Sequence, residues 1–377
     1  MEFKLDAGQK MLQNSAREFL KKEFSSEVVN DIINSDTGYS PKLWKKMSKL
    51  GWMGLTILEE YGGEGGSFLD VMILLEEMGY NLCPSPYFTN TILSVIFLLT
   101  HGDERQKKKF LPSIASGKKI FSFAFLEEDF DNDPASISFT ALKRNGGYCL
   151  QGTKMFVPYA HISDYILCVA RTREKSRSEQ GISVFLVETK SAELDCRPLR
   201  SLSLERLCEV QFKNIIVSQE NIIGVQDTAW PSVHSTIMKA ALCLSAQMIG
   251  GARAVLDMSL SYAKERRQFK RPIGSFQAIQ QYLVDMWLNI YATHHLVYKT
   301  AWKIQQAQPA EKEIAVAKSR AGEVYRRTTS LGHQIFGATG FTKEIDMHLY
   351  HRDAISSYLS FGDSNFHKEI LARELGM

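Results

Sequence analysis

A chain of 377 residues with 44% apolar and 23% charged side chains is too long for one small module and too apolar for disorder. Its formal charge of +3 gives no reason to expect nucleic acid or a membrane surface as partner, and apolar runs such as ILSVIFLL, Ile92 to Leu99, fall far short of the roughly 20 residues of a membrane-spanning helix. The six cysteines, Cys83, Cys149, Cys168, Cys196, Cys208 and Cys243, show no paired or clustered spacing, which argues against a zinc site or a disulfide framework and fits a reducing compartment.

The N-terminus, MEFKLDAGQK, has no basic start followed by an apolar core, so the expected location is the cytoplasm. From residue 1 to 118 apolar positions recur at helical spacing, as in LWKKMSKLGWMGL and LDVMILLEEMGYNL, with breaks at YGGEGG and CPSP; this predicts an N-terminal helical domain. Between 119 and 225 the texture changes to short β-branched or alternating runs, ISFTALK, YCLQGTK, YILCVART, ISVFLVET and VQFKNIIV, punctuated by turn signals such as Asn145-Gly146-Gly147. A small antiparallel sheet or β-barrel is expected there. From 226 to 377 the helical period returns in long runs, among them AALCLSAQMIGGARAVLDMSLSYAKE. Helices of that length need partners for their apolar faces, so a helical bundle that also packs against other subunits is expected. The class is α+β.

Several motifs bear on function. Around ERRQFKRPIGSFQAIQQYLVDM, residues 265 to 286, five basic side chains, Lys264, Arg266, Arg267, Lys270 and Arg271, gather at one helix end before a Pro-Gly break; placement near a helix C-terminal dipole explains such charges on its own. QIFGATGFTKE, residues 334 to 344, reads as a helix C-cap and turn, or as a place where glycine lets backbone approach a phosphate. EEYGGEGGS is no P-loop, because no Gly-Lys-Ser/Thr follows. His294 and His295 are neighbours in an apolar helical run and point to different faces, so packing is expected of them rather than a shared metal. Asp353 and His367 are expected to serve loop and helix-terminus structure.

Together with ERQKKKFLPSIASGKK, HRDA at 351 to 354 and KEILARELG, these stretches resemble the acyl-CoA dehydrogenase family, in order and over nearly the whole chain. The resemblance implies a helical domain, a central β-barrel domain and a C-terminal four-helix bundle. It also implies an FAD enzyme that acts on CH-CH groups of acyl-CoA thioesters, passes electrons to an electron-transfer flavoprotein and assembles as a homo- or heterotetramer. By the match, Arg266 contacts the pyrophosphate of a neighbouring subunit's FAD, Phe269 packs on it and Gln277 hydrogen-bonds it. Gln334, Gly337 and Gly340 take the positions where backbone approaches the same cofactor.

The chain departs from the family where the chemistry should be. The family's usual glutamate base falls on Phe361, within Ser360-Phe361-Gly362-Asp363, and the alternative position on the first long C-terminal helix falls on Ala240, followed by Ala241. A threonine beside the flavin becomes Leu126; the tryptophan and threonine at the ring become Phe156 and Pro158, and proline offers neither N–H nor hydroxyl. Two readings follow. Either the chain is the subunit of a heteromeric enzyme that supplies FAD-binding residues to a catalytic partner, or it is self-sufficient with a relocated base. Asp363 is the nearest carboxylate for that role. Glu127, Glu128 and Asp131 are others, on a loop rich in like charges where solvation is expected. A third reading, a DNA-associated alkylation-response-like protein, rests on the basic loop at 264 to 271 and lacks the extra basic region of that branch.

Overall fold

The computed structural model describes residues 5–129, 133–144, 146–173 and 179–377; Asn145 and Asp131 lie outside them. Helices come first: α1 (Ala7–Glu23), α2 (Ser26–Asn34), α3 (Pro41–Lys49), α4 (Phe68–Tyr80), α5 (Val95–His101) and α6 (Glu104–Ala115). Their starts are written locally. Asp6 with Gln9, Ser67 with Asp70, and Asp103 with Gln106 each form a reciprocal capping box on α1, α4 and α6, satisfying backbone N–H groups that the first turn leaves unpaired.

Eight strands follow: β1 (Phe121–Ala124), β2 (Thr140–Arg144), β3 (Gly147–Pro158), β4 (Tyr165–Arg171), β5 (Ile182–Glu188), β6 (Leu194–Pro198), β7 (Leu207–Ser218) and β8 (Ile222–Ile223). They form one sheet in the order β6-β7-β3-β2-β4-β5-β8, with β1 on β4. The expected antiparallel pattern holds for most pairs, but β1 and β2 each pair parallel to β4. All four residues of β1 are buried, so its burial does not alternate as in a strand exposed on one face, and four residues are too short a run to mark a strand in the sequence. β6, LDCRP, carries too few β-formers to stand out. The domain has its own core, in which Phe139, Tyr148, Phe185 and Phe212 pack together.

The C-terminal helices are α7 (Trp230–Glu265), α8 (Gln277–Gln305), α9 (Glu311–Phe336), α10 (Met347–Leu359) and α11 (Ser364–Glu374). The three long ones pack on one another, and α10 and α11 pack on α9. The N-terminal domain is joined to this bundle where α4 crosses α7 at backbone contact. A Cβ on Gly79 would lie 2.0 Å from the Gln247 carbonyl oxygen, and one on Gly250 would lie 1.9 Å from that of Glu76, so glycine is required at both positions.

Charge is buried at that crossing. Glu76 and Glu77 of α4 are 1% and 0% exposed. Arg253 of α7 donates to Glu76 at 2.5 Å and to Glu77 at 2.8 Å; Arg17 of α1 donates to Glu77 at 2.8 Å, and the Tyr298 hydroxyl of α8 to Glu76 at 2.7 Å. His294 approaches Glu76 at 3.3 Å, and its Nδ1 lies 3.4 Å from that of His295. The two histidine rings thus meet despite their sequence adjacency, with His294 serving this ion-pair network.

Candidate active site

The positions at which the sequence departs from the family converge. A cavity of about 700 Å³ lies where the three domains meet. Phe88 and Thr89 come to it from the N-terminal domain; Leu126, Phe156 and Pro158 from the β domain; Phe361 and Asp363 from the loop between α10 and α11. Phe361 therefore stands in the wall without closing the space. Ala240 is buried one helical turn before Leu244, which does line the cavity; its methyl group carries no acid-base chemistry.

The loop around Phe361 is held from several sides. Phe361 adopts a left-handed φ of 56°, a conformation that costs a bulky residue free energy, and its ring stacks on Phe88 with centroids 5.7 Å apart. Buried Lys318 of α9 donates to the carbonyls of Ser357, Tyr358 and Gly362 at 3.2, 3.1 and 2.9 Å. It thereby satisfies acceptors that the end of α10 leaves open. Burial pushes Lys318 down to about 7, with Asp363 acting in the opposite direction. Asp363 is engaged as well: its Oδ1 accepts from the Phe366 N–H at 2.9 Å, capping α11.

His367, fully buried, completes the clamp by hydrogen bonding through Nε2 to the Phe361 carbonyl at 2.9 Å. The carbonyl can only accept, so Nε2 carries the proton. Burial, and then the Lys318 charge, push His367 down to about 4. As pH falls from about 6.5 to about 4, the unfolded chain binds a proton here that the folded chain does not. Stability at this site should fall by up to about 1.4 kcal/mol per pH unit across that window. Glu205 and Asp353 act with the opposite sign, because their raised values leave the folded state holding more protons there. Urea titrations of wild type and His367→Gln at pH 4.5, 5.5 and 6.5 isolate the histidine. The variant should lose less stability on acidification, and parallel pH profiles would remove His367 from the account.

Glu127 corrects the expectation of a solvated carboxylate. It is 8% exposed, pairs with the fully buried Lys154 at 2.7 Å, and accepts from the Ser138 and Phe139 backbone N–H groups. Desolvation opposes its charge, but Lys154 and Ser138 outweigh that and keep it below the usual carboxylate range. It is a structural anion of the β domain. Glu128 is exposed, as expected. Asp353 also departs from expectation: it sits within α10, lines the cavity, and accepts from the Tyr325 hydroxyl at 3.0 Å. Glu205, on the loop before β7, lines the cavity too and was not singled out by the sequence, where a lone glutamate in SLSLERL looks like solvated surface.

The residues matched to a neighbour's FAD gather elsewhere, at one end of the bundle. Tyr262 in the last turn of α7 stacks on Phe336 at the end of α9, centroids 4.2 Å apart, which places the C-terminal ends of the two helices at the same end of the bundle. Arg266, Phe269, Gln277 and Gln334 are exposed, Phe269 at 87%. Gly337 has φ +61°, and a Cβ there would meet nothing within 4 Å, leaving its backbone open to approach from outside. Gly340 differs, being buried with Phe336 3.0 Å from where its Cβ would be; packing within the chain explains that glycine. At about 1.5 Å of rise per residue, Arg266 stands roughly 28 Å along α7 from Gln247 in the cavity wall. The two sets of residues serve different places.

This outer face fits a dinucleotide approached from another subunit, with a guanidinium for the pyrophosphate and a free aromatic ring for packing. The cavity offers a flavin ring little: Leu126 and Pro158 carry no side-chain donor, and the Met155 N–H is already bonded to the Leu126 carbonyl at 2.9 Å.

Comparison with known proteins agrees with this layout. Family patterns described as acyl-CoA dehydrogenase N-terminal, middle and C-terminal domains match residues 6–118, 122–215 and 229–376. A probable acyl-CoA dehydrogenase of Bacillus subtilis (strain 168) is 30% identical over 381 residues, covering 100% of both chains. The structure of butyryl-CoA dehydrogenase from Megasphaera elsdenii superposes with a TM-score of 0.93 at 27% identity over 100% of both chains. PigA with FAD and proline gives 0.92 at 28% identity over 100% of this chain and 99% of that one.

Proposed function

We propose, from the premise that this chain belongs to the acyl-CoA dehydrogenase family, that it serves FAD-dependent α,β-dehydrogenation of an acyl-CoA thioester as the subunit supplying cofactor-binding residues to an adjacent catalytic subunit. The observation that carries this reading is the contrast between the two places. Arg266, Phe269, Gln277, Gln334 and Gly337 face outward, whereas the loop that should present a base presents Phe361. The chemistry FAD supplies when bound is acceptance of the β-hydride; the α-proton needs a positioned base, which on this reading the partner provides.

An apolar stripe on α8 supports assembly with a second subunit. Val284, Trp287, Leu288 and Tyr291 recur at helical spacing and are 50–54% exposed, and Trp287 stacks on Tyr291 at 4.9 Å. Such a stripe needs a cover. The expected assembly is a tetramer, with an electron-transfer flavoprotein as acceptor, in the cytoplasm. Among the described residues no helix is long and apolar enough to cross a membrane.

One observation favours the second reading, turnover in this chain's own cavity: about 700 Å³ of space remains beside Phe361. On that reading Asp363 is the candidate base, and Asp363→Ala abolishes turnover.

FAD content per chain, read from the visible spectrum, separates the two. Chain purified alone should hold little flavin and gain it on co-expression with the product of an adjacent acyl-CoA dehydrogenase gene. Full occupancy alone, with oxidation of an acyl-CoA, would overturn the supplying role.

A further inference from the structure

Among the described residues no lysine, arginine or histidine lines the cavity, yet three carboxylates do: Glu205, Asp353 and Asp363. Two of them are accounted for. Asp363 caps α11 and faces Lys318; Asp353 accepts from Tyr325 and, at 3.5 Å, from Ser357. Glu205 differs: its backbone N–H bonds to Ser203, but among the described residues its carboxyl group has no hydrogen bond or ion pair. Glu205 is half-buried in a wall that is mostly apolar, and a partly desolvated carboxyl without a partner favours a proton or a cation beside it. The surrounding walls are themselves suited to a cation. Phe88, Phe123, Phe125, Phe156 and Phe361 are among the cavity's lining residues, and aromatic rings attract positive charge, most strongly when water is excluded.

We propose that this cavity takes an acyl group bearing a protonated nitrogen, with Glu205 as its counter-ion, Asp353 as a second carboxylate nearby and the phenylalanine rings around the adjoining carbons. The inference rests on the second reading above, in which this chain's own cavity receives an acyl thioester, and adds the class of acyl group. The chain itself supplies two negative charges and a π-lined enclosure, and the ligand supplies the missing positive charge. Loss of water, and then the charge of Asp353, raise Glu205 to about 7; Tyr159 and its sequence neighbour Arg206 are the other titratable groups acting in this region. The preference for a cation should therefore be full above about pH 7 and weaken below it.

β-Alanyl-CoA and butyryl-CoA differ by an ammonium in place of a methyl, which makes them matched probes. Their affinities are measured anaerobically by calorimetry on the flavin-loaded, co-expressed assembly at pH 8 and pH 6. Any site on the partner contributes equally to wild type and to Glu205→Gln, so the difference between these two reports this cavity. At pH 8 wild type should bind β-alanyl-CoA at least tenfold more tightly than butyryl-CoA. That ratio should shrink at pH 6 and disappear in Glu205→Gln, while Glu205→Asp, which keeps the charge at shorter reach, should retain part of it. Equal affinities in wild type, or a ratio indifferent to Glu205→Gln, would overturn the proposal and leave the acyl-CoA reading standing. Failure of both thioesters to bind would remove the acyl-CoA reading and this inference together. Should Glu205→Gln keep both affinities but abolish flavin reduction by butyryl-CoA, Glu205 is the proton acceptor and the counter-ion role is wrong.

Discussion

Arg253→Met is expected to lower the unfolding free energy by about 3–5 kcal/mol, the cost of leaving a buried carboxylate without its cation. The guanidinium serves two carboxylates at once, 2.5 Å from Glu76 and 2.8 Å from Glu77, and it lies 4.9 Å over the Tyr80 ring. Without it, Glu77 keeps Arg17, whose side chain is about half exposed and weakly placed to compensate, and Glu76 keeps only Tyr298 and His294. Methionine fills much of the volume, so the loss reads out charge rather than a void. The urea midpoint measures it, with an unchanged slope showing that the folded state remains compact. A loss below about 1 kcal/mol would mean that Tyr298 and Arg17 hold the two carboxylates without the arginine, and would remove Arg253 as the group that keeps this crossing together. The crossing also matters for the site, because Met78, Gly79 and Gln247 line the cavity. Loosening α4 against α7 therefore loosens the cavity wall.

The architecture was legible in the sequence because periodicity reports burial directly. The long helices and the strands β3, β4, β5 and β7 carry clear patterns; β1 and β6 do not, one being buried throughout and the other weak in β-formers. Phe361 and Pro158 were legible as departures because they occupy positions with a chemical requirement that their side chains cannot meet. Glu127, Glu205 and Asp353 were misjudged or missed for a common reason. Whether a carboxylate is solvated, paired or stranded depends on what the fold brings across from distant segments, here Lys154, Asp353 and Tyr325, and local sequence holds no trace of that. Gly340 shows the converse. A motif position suggested an approach to the cofactor, and contact with Phe336 within the chain explains it equally well.

In the co-expressed assembly, Arg266→Ala should weaken FAD binding roughly a hundredfold, about 3 kcal/mol, as expected for removing a charge-assisted contact to a pyrophosphate. Turnover at subsaturating FAD should fall with it. The turn that carries Arg266 is built from its backbone: the Arg266 N–H donates to the Tyr262 carbonyl, the Ile273 N–H to the Arg266 carbonyl, and Gln268 pairs with Arg271 across a short hairpin. Alanine therefore leaves the turn in place. Lysine restores charge but not the two-pronged geometry, so Arg266→Lys should recover only part of the affinity. The competing account, in which this basic cluster merely complements the C-terminal dipole of α7, predicts the reverse pattern: a stability loss of a few tenths of a kcal/mol, recovered fully by lysine, with FAD affinity unchanged. Flavin fluorescence titration alongside a urea midpoint distinguishes them, since one quantity moves in each account and the other stays still. Because Arg266 lies roughly 28 Å along α7 from this chain's own cavity, a loss of flavin in the assembly places the affected FAD in another subunit.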